Sequence, residues 1–523
     1  MSSLVRLARR PHDGAHAAVS PPPLTRRQFI SAAAVFGAVG CHGVRRPAPG
    51  TRPVAIVGAG IAGLAAALTL SEVGIPAVVY EAADRVGGRM HTHRGEWDDG
   101  QVTEWCGELI DAHHATLLAL ARRFELPLED VRAGHPDGAR PSYFVSGRPY
   151  SWDRAQDDFE PVREALARDF GGLRSTTFAT STPGAVALDR MSVREWIEAR
   201  VPDGTRSPLG AIVDVAFASD YGAETSDLSA LNLAYLAAVR AFGMPSQRQY
   251  HIVGGNDQLP RRMAAQLPSG SVAPGWRLQA LGRRSDDSVL LTFDTAGGLR
   301  EVAADHLILA LPFAVLRTLD HARAGFDPRK RRAIESLGRG RNAKLHLQFR
   351  RRAWTAGPRG PGSGTSLTDL GSQMTYQASG ARGTSGVLVN FRGGEATERL
   401  RPASPYTSGQ ADGLAAEARW LLERLDRVWP GVAAEWNGKV ALSAPARDPN
   451  LGCSYSYWRV GQFHTLRGSE RLPQRNIHFA GEHCSVEFQG YMEGGAAEGI
   501  RAAHEVRRDL GVRHCHVKTS WEC

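Results

Sequence analysis

The chain first becomes strongly apolar at Pro53 to Val57, a short β-branched run that breaks at Gly58-Ala59-Gly60. From Ile61 to Val73 apolar residues recur with helical period, and a second apolar run closes at Tyr80-Glu81. Period two, a glycine turn, period 3.6 and period two again predict a β-α-β unit. Further along, Ser192 to Arg200 and Leu228 to Phe242 carry helical patterns, whereas the stretch after residue 319 reads as strands around a Gly-rich loop, Gly357 to Gly364. The longest apolar runs, Ile30 to Gly40 and Ile61 to Leu70, fall short of the roughly 18–20 residues that a bilayer span requires. No membrane span is expected.

The glycine turn has the form G-x-G-x-x-G, with Ile61 and Ala62 between its second and third glycines. Gly58 permits a tight turn, Gly60 lets backbone approach a pyrophosphate, and Gly63 lets the helix pack close on the strand, so that the helix N-terminus faces phosphate. Glu81 follows Gly63 by 18 residues and ends the second strand, where a carboxylate accepts from ribose hydroxyls. These features predict an adenine dinucleotide. Asp84-Arg85-Val86-Gly87-Gly88-Arg89 adds a second glycine pair, which suits close passage over a flavin pyrophosphate with the Arg89 guanidinium on phosphate. FAD is the cofactor this segment suggests, an ordinary Gly-Gly turn being the alternative.

Residues His478 to Val506, with the Asp84–Met90 segment, resemble the flavin-containing amine oxidase family of monoamine, polyamine and L-amino-acid oxidases. The resemblance rests on Phe479-Ala480-Gly481-Glu482 and Gly490-Tyr491-Met492-Glu493-Gly494. Glu104–Asp111, Tyr250–Pro260, His306–Pro312, Asn342–Phe349 and Ser454–Phe463 follow in the family's order, so the likeness runs from about residue 52 to 511. It implies an α/β fold in which a Rossmann-like FAD-binding domain (52–125, 247–318 and 447–511) interleaves with an α+β substrate domain (126–246 and 319–446). Residues 1–50 are then a leader and linker, and 512–523 a tail.

The resemblance also implies chemistry. Oxidising an amine calls for a neutral nitrogen, an apolar aromatic enclosure and alignment against the flavin. Tyr491 matches one wall of the family's aromatic cage, with Gly481, Glu482 and Met492 beside the cofactor. The opposite wall falls within Ser454 to Trp458, where Ser454 occupies the usual tyrosine position and Tyr455, Tyr457 or Trp458 can substitute. Lys344 matches the lysine that holds a water near the flavin and assists oxygen. It is one of four lysines in a chain that otherwise uses arginine, and the two cations are not interchangeable. Cys453 stands eight residues before Gly461, the offset of the thioether link in monoamine oxidases. Soluble bacterial relatives bind FAD without that link, so covalent attachment is the alternative to a non-covalent site. Ile110 stands where venom-type L-amino-acid oxidases place a carboxylate-binding Arg. Asp111 beside it would favour cationic amines or lie at the surface. The expected substrates are a small amine or amino acid and O2, and the expected products are an imine and H2O2.

The 523-residue chain carries a formal charge of +9, but the leader holds five arginines against one aspartate. The later run Arg329-Lys330-Arg331-Arg332 lacks interleaved aromatics and reads as a solvated helix face, so a nucleic-acid partner is not expected. Residues 25–41, with Arg26-Arg27, Phe29 and an Ala-rich stretch, resemble a twin-arginine export signal. Ala38-Val39-Gly40-Cys41 also has the form of a lipoprotein cleavage box, with Ala38 where a larger aliphatic is usual, which leaves lipid anchoring at Cys41 open. Six cysteines lack zinc-ligand spacing, and no metal site is expected, His514-Cys515-His516 reading as a polar tail. Two rivals share the N-terminal pattern: a desaturase or protoporphyrinogen-oxidase-like enzyme, and a non-catalytic FAD-binding exported protein. A Ser-His-Asp hydrolase is not indicated, since no G-x-S-x-G elbow occurs.

Overall fold

The β-α-β unit forms where the pattern places it. In the computed structural model, which describes residues 52–173, 175–234, 248–356, 361–378, 380, 383–409, 411 and 413–512, strand β1 is Val54–Val57, helix α1 is Ile61–Glu72 and strand β2 is Ala77–Glu81. All four residues of β1 are buried, and so are the first ten of α1. A helix apolar on every side must be enclosed, and α1 is covered by the sheet below and a second long helix above. The sheet is parallel with order β3–β2–β1–β4–β5, where β3 is Val272–Pro274, β4 is Leu307–Leu309 and β5 is Ile477–Phe479. Strands more than 400 residues apart in sequence thus share one sheet.

Helix α2, Met492–Asp509, lies across α1. Two of its glycines, one turn apart, permit the crossing: a Cβ on Gly499 would stand 2.1 Å from the Ala62 carbonyl oxygen, and one on Gly495 2.9 Å from Ile61 Cγ2. Backbone contact at this point fixes the N-terminus of α1 against the start of α2.

A mixed eight-stranded sheet makes the second layer, with strands from Arg140–Tyr150 and from Asn342–Ser443. Its strand Asn342–Phe349 is buried at all eight positions and pairs antiparallel on both sides. Helices Trp152–Phe170, Pro183–Asp189, Val193–Arg200 and Pro208–Tyr221 pack nearby around Phe159, Trp196 and Phe217. Ser192 caps the third of these through a reciprocal capping box with Glu195.

Three sequence readings change or fall outside the described residues. The segment from Leu228 forms a short 3-10 turn, Ala230–Leu233, and the rest of that helical pattern, 235–242, lies outside, as do 243–247, 1–51 and 513–523. The Gly-rich loop becomes strand by Gly362, its residues 357–360 lying outside. The basic run is not uniformly solvated. Arg329, Arg331 and Arg332 are exposed, but Lys330 is buried, donates to the Glu470 carbonyl at 2.6 Å and sits 3.7 Å from the Phe479 ring centre. Burial pushes its pKa down to about 8. Among the described residues no helix is long and apolar enough to cross a membrane.

Candidate active site and cofactor cleft

A single cavity of about 890 Å³ runs from the β1–α1 turn to the eight-stranded sheet, a size in the range of ligand pockets. Glu81, Trp276 and Arg277 line one end, and Lys344, Tyr376 and Phe391 the other.

At the first end the glycines divide their work. Gly58 has φ of +103°, and its Cβ would meet the Ala310 carbonyl oxygen at 2.9 Å. Gly63 does not line the cavity: its Cβ would overlap the Gly58 carbonyl oxygen at 1.9 Å, so it sets helix–strand packing. Gly60 lines the cavity, and a Cβ there would meet nothing within 4 Å. It leaves room for a ligand rather than for protein. Gly60 is also the N-cap of α1 and no side chain caps this end, so the first-turn N–H groups and the helix dipole face the cavity, together with Ile61 and Ala62. Glu81 accepts from the Ala59 and Ala83 amides at 2.7 and 2.8 Å, which fixes its carboxylate on the wall. Burial raises its pKa, opposed by those amides and Arg85. An open glycine, an uncapped helix N-terminus and an oriented carboxylate fit a dinucleotide, so these residues fit FAD.

In the middle, Gly88, Arg89, Gly481, Glu482 and Met492 all line the cavity. Arg89 is not free to serve phosphate alone. Its Nη1 donates to the Ser454 carbonyl at 3.0 Å and to Glu482 Oε1 at 2.9 Å. Glu482 further accepts from Ser456 N and Oγ and from Gly490 N, at 3.1, 2.8 and 2.8 Å. Burial would raise the Glu482 pKa, but Arg89 and these donors outweigh it and hold the carboxyl below its ordinary value.

At the far end, Tyr491 and Tyr455 line the same cavity, the Tyr455 ring lying beside Gly490. The Tyr455 hydroxyl donates to the Asp220 carbonyl, and burial pushes its pKa well up, so the ring stays neutral. The remaining wall candidates are corrected. Tyr457 is paired with Gly338 and donates to Asp227 at 2.5 Å, while Trp458 packs on Phe463 in the core; neither lines the cavity. Ser454, Tyr455 and Ser456 line the cavity in succession, and the chain leaves it at Tyr457, where the short pairing with Gly338 begins. Ser454 does line the cavity, its hydroxyl donating to Asn342 Oδ1 at 2.6 Å. Cys453 lies off the cavity, on a small separate recess with Arg317 and His483, and burial raises its thiol pKa to about 11.

Lys344 is almost fully buried on the cavity wall, its ammonium donating to the carbonyls of Glu104 and Cys106 at 3.1 and 2.7 Å and to Glu108 Oε2 at 2.8 Å. Every ammonium hydrogen therefore has a protein acceptor, which the sequence reading of a water-holding lysine did not foresee. Tyr376 also donates to Glu108 Oε2 at 2.5 Å, and both line the cavity. Glu108 was not singled out from the sequence, where it is one of three carboxylates in Glu104–Asp111. Ile110 is buried in register with Tyr250. Asp111 is not a surface residue: it lines the cavity and accepts from Gln249 Nε2 at 2.8 Å.

Residues 61–507 match the family model of flavin containing amine oxidoreductases. The chain belongs to this family. It is 27% identical over 496 residues to a Mycobacterium tuberculosis protein named as a flavin-containing monoamine oxidase, covering 88% of this chain and 97% of that one. It is 25% identical over 478 residues to the L-amino-acid oxidase of Pseudechis australis, covering 87% and 86%. In structure it resembles cyclohexylamine oxidase from Brevibacterium oxydans, with a TM-score of 0.73 and 22% identity over 88% of this chain and 99% of that one. The fold is thus the two-domain α/β amine oxidase fold, and the cleft is that of a flavin-dependent amine or amino-acid oxidoreductase.

Proposed function

We propose that the protein is an oxidase that converts an amine or L-amino acid to its imine while O2 becomes H2O2, the imine then hydrolysing to a carbonyl compound and ammonia. The substrate gives up two electrons and two protons, and O2 takes up both. Bound FAD would accept the hydride equivalent and pass the electrons to oxygen.

The observation that carries this reading is the convergence of Tyr455, Tyr491 and the Lys344–Glu108 pair on one cavity. Tyr455 and Tyr491 offer apolar faces that exclude water, which lowers the pKa of a bound ammonium and favours the neutral amine. Glu108 and the two carbonyls fix the Lys344 ammonium, a compact positive charge beside which superoxide and peroxide character is stabilised. Asp111, held by Gln249, offers a carboxylate on the same cavity for a substrate cation. We further propose that residues 1–50 direct export of the folded protein by the twin-arginine route.

The test is peroxide release by the purified holoenzyme offered monoamines, polyamines and L-amino acids. Peroxide with one of these classes, and a fall of at least about tenfold in oxygen-dependent turnover in Lys344→Met, is expected. A yellow protein that no amine bleaches under anaerobic conditions overturns the proposal.

A further inference from the structure

Away from the cleft, where the C-terminal end of α2 reaches the edge of the parallel sheet, His306, His478 and Asp509 come together. Each offers one ligand atom, and these atoms all lie within 4.8 Å of one another. His478 is on β5, whose register sets it beside Ile308 of β4; His306 immediately precedes β4, and Asp509 is the last residue of α2.

His478 is 1% exposed, and its two nitrogens have different partners. Nδ1 faces Glu505 Oε2 at 3.1 Å, and a carboxylate can only accept, so Nδ1 carries the hydrogen. In the neutral ring Nε2 therefore holds the lone pair. That atom is buried and makes no hydrogen bond, although Asp509 Oδ2 stands 3.1 Å away. His306 Nδ1 is likewise buried without a hydrogen-bond partner. His306, His478 and Asp509 thus bring their ligand atoms to one place, and neither His306 Nδ1 nor His478 Nε2 is hydrogen-bonded. A lone pair facing a carboxylate at this distance repels it unless a proton or a metal ion lies between them. Asp509 is half-open to solvent, which leaves an approach and a position for water.

We propose that His306 Nδ1, His478 Nε2 and Asp509 bind one divalent transition-metal ion of zinc type, with water completing a four-coordinate site. The donor set is the one zinc favours, two imidazoles and a carboxylate. Glu505 supplies the outer contact that orients a metal-binding histidine, and Arg501 Nη1, 2.5 Å from Glu505 Oε1, steadies that carboxylate in turn. A bound ion would fasten the end of α2 to the sheet. The other group of this kind, Asp111, His113 and His114, lacks the necessary chemistry: the Asp111 amide donates to His114 Nδ1 at 3.0 Å, so Nε2 there bears the hydrogen and has no lone pair.

Full-length holoenzyme in which His514, Cys515, His516 and Cys523 are replaced by Ala or Ser, so that the tail cannot compete, is stripped with EDTA and dialysed against micromolar Zn2+. Retained metal is counted by atomic emission. The parent is expected to hold one more tightly bound zinc than either His478→Ala or Asp509→Asn, and Glu505→Gln should hold it about 10–100-fold more weakly. Asp509 is exposed, so Asp509→Asn keeps the fold even if His478→Ala does not. Equal zinc in parent and Asp509→Asn, or none in the parent, overturns the assignment.

Discussion

Replacing Glu482 by alanine should destabilise the protein and its hold on FAD together. The side chain is buried and accepts four hydrogen bonds: from Arg89, from the amide and hydroxyl of Ser456, and from the amide of Gly490. Its removal strands the Arg89 guanidinium, which has only the Ser454 carbonyl left on Nη1. Breaking a buried ion pair from one side costs about 3–5 kcal/mol. At roughly 2 cal/mol/K of unfolding entropy per residue, a folded unit of this size loses about 1 °C of Tm per kcal/mol, so the expected drop is about 3–5 °C. The sign with pH follows from the depressed carboxyl pKa. The contribution is present above the unfolded value near 4.5 and disappears as pH falls through the lower folded value, so the difference from the parent should hold from pH 5 to 8 and shrink below that window. Thermal unfolding followed by released flavin fluorescence measures both effects. Arg89→Met with Glu482→Leu should lose less than Glu482→Ala alone, because no buried charge is left over. A Tm within about 1 °C of the parent with full FAD retention in Glu482→Ala would refute the account.

Three further outcomes are expected. Gly60→Ala should leave the apoprotein as stable as the parent while weakening FAD retention, whereas Gly63→Ala, whose Cβ overlaps the Gly58 carbonyl, should lower Tm before any cofactor is added; calorimetry of apo and loaded forms separates the two. Burial raises the Glu104 pKa to about 8, so the stability it contributes is complete below about pH 4.5 and lost as pH rises through 8. Denaturant titrations at pH 6 and 9 should therefore show Glu104→Gln overtaking the parent at the higher pH only. Tyr455→Ala should cut kcat/KM at least about tenfold and Tyr457→Phe change it less than about twofold, since only the first lines the cavity; equal losses in steady-state assays would remove Tyr455 from the site.

The cofactor end of the cleft was legible because its signals are local. Gly58, Gly60, Gly63 and Glu81 sit within one strand–helix–strand unit, and each has a backbone reason to be what it is. The far end was less so. Which residues of Ser454 to Trp458 face the cavity depends on where the segment leaves it to pair Tyr457 with Gly338, and nothing in the letters marks that point. The partners of buried charges were hidden as well. Arg89 reads as a phosphate ligand until Glu482, 393 residues away, is brought beside it. Lys330 reads as solvated until Phe479 covers it. Glu108 carries no pattern of its own, and only the approach of the strand holding Lys344 gives it a role. Periodicity reports which face of an element is buried, but not what it is buried against.

The separation between Arg89 and Glu482 has a consequence in time. A ribosome adding about 5–20 residues per second needs about 20–80 s to make the 393 residues between them. Throughout that interval the glycine turn and α1 exist without α2, and Arg89 without its carboxylate. A nascent chain thus presents half a cradle to the cofactor throughout that interval, and the hold on FAD is completed only once Glu482 and α2 emerge. Loss of the C-terminal segment, by early termination or proteolysis, would leave an N-terminal unit that begins the nucleotide site and cannot finish it.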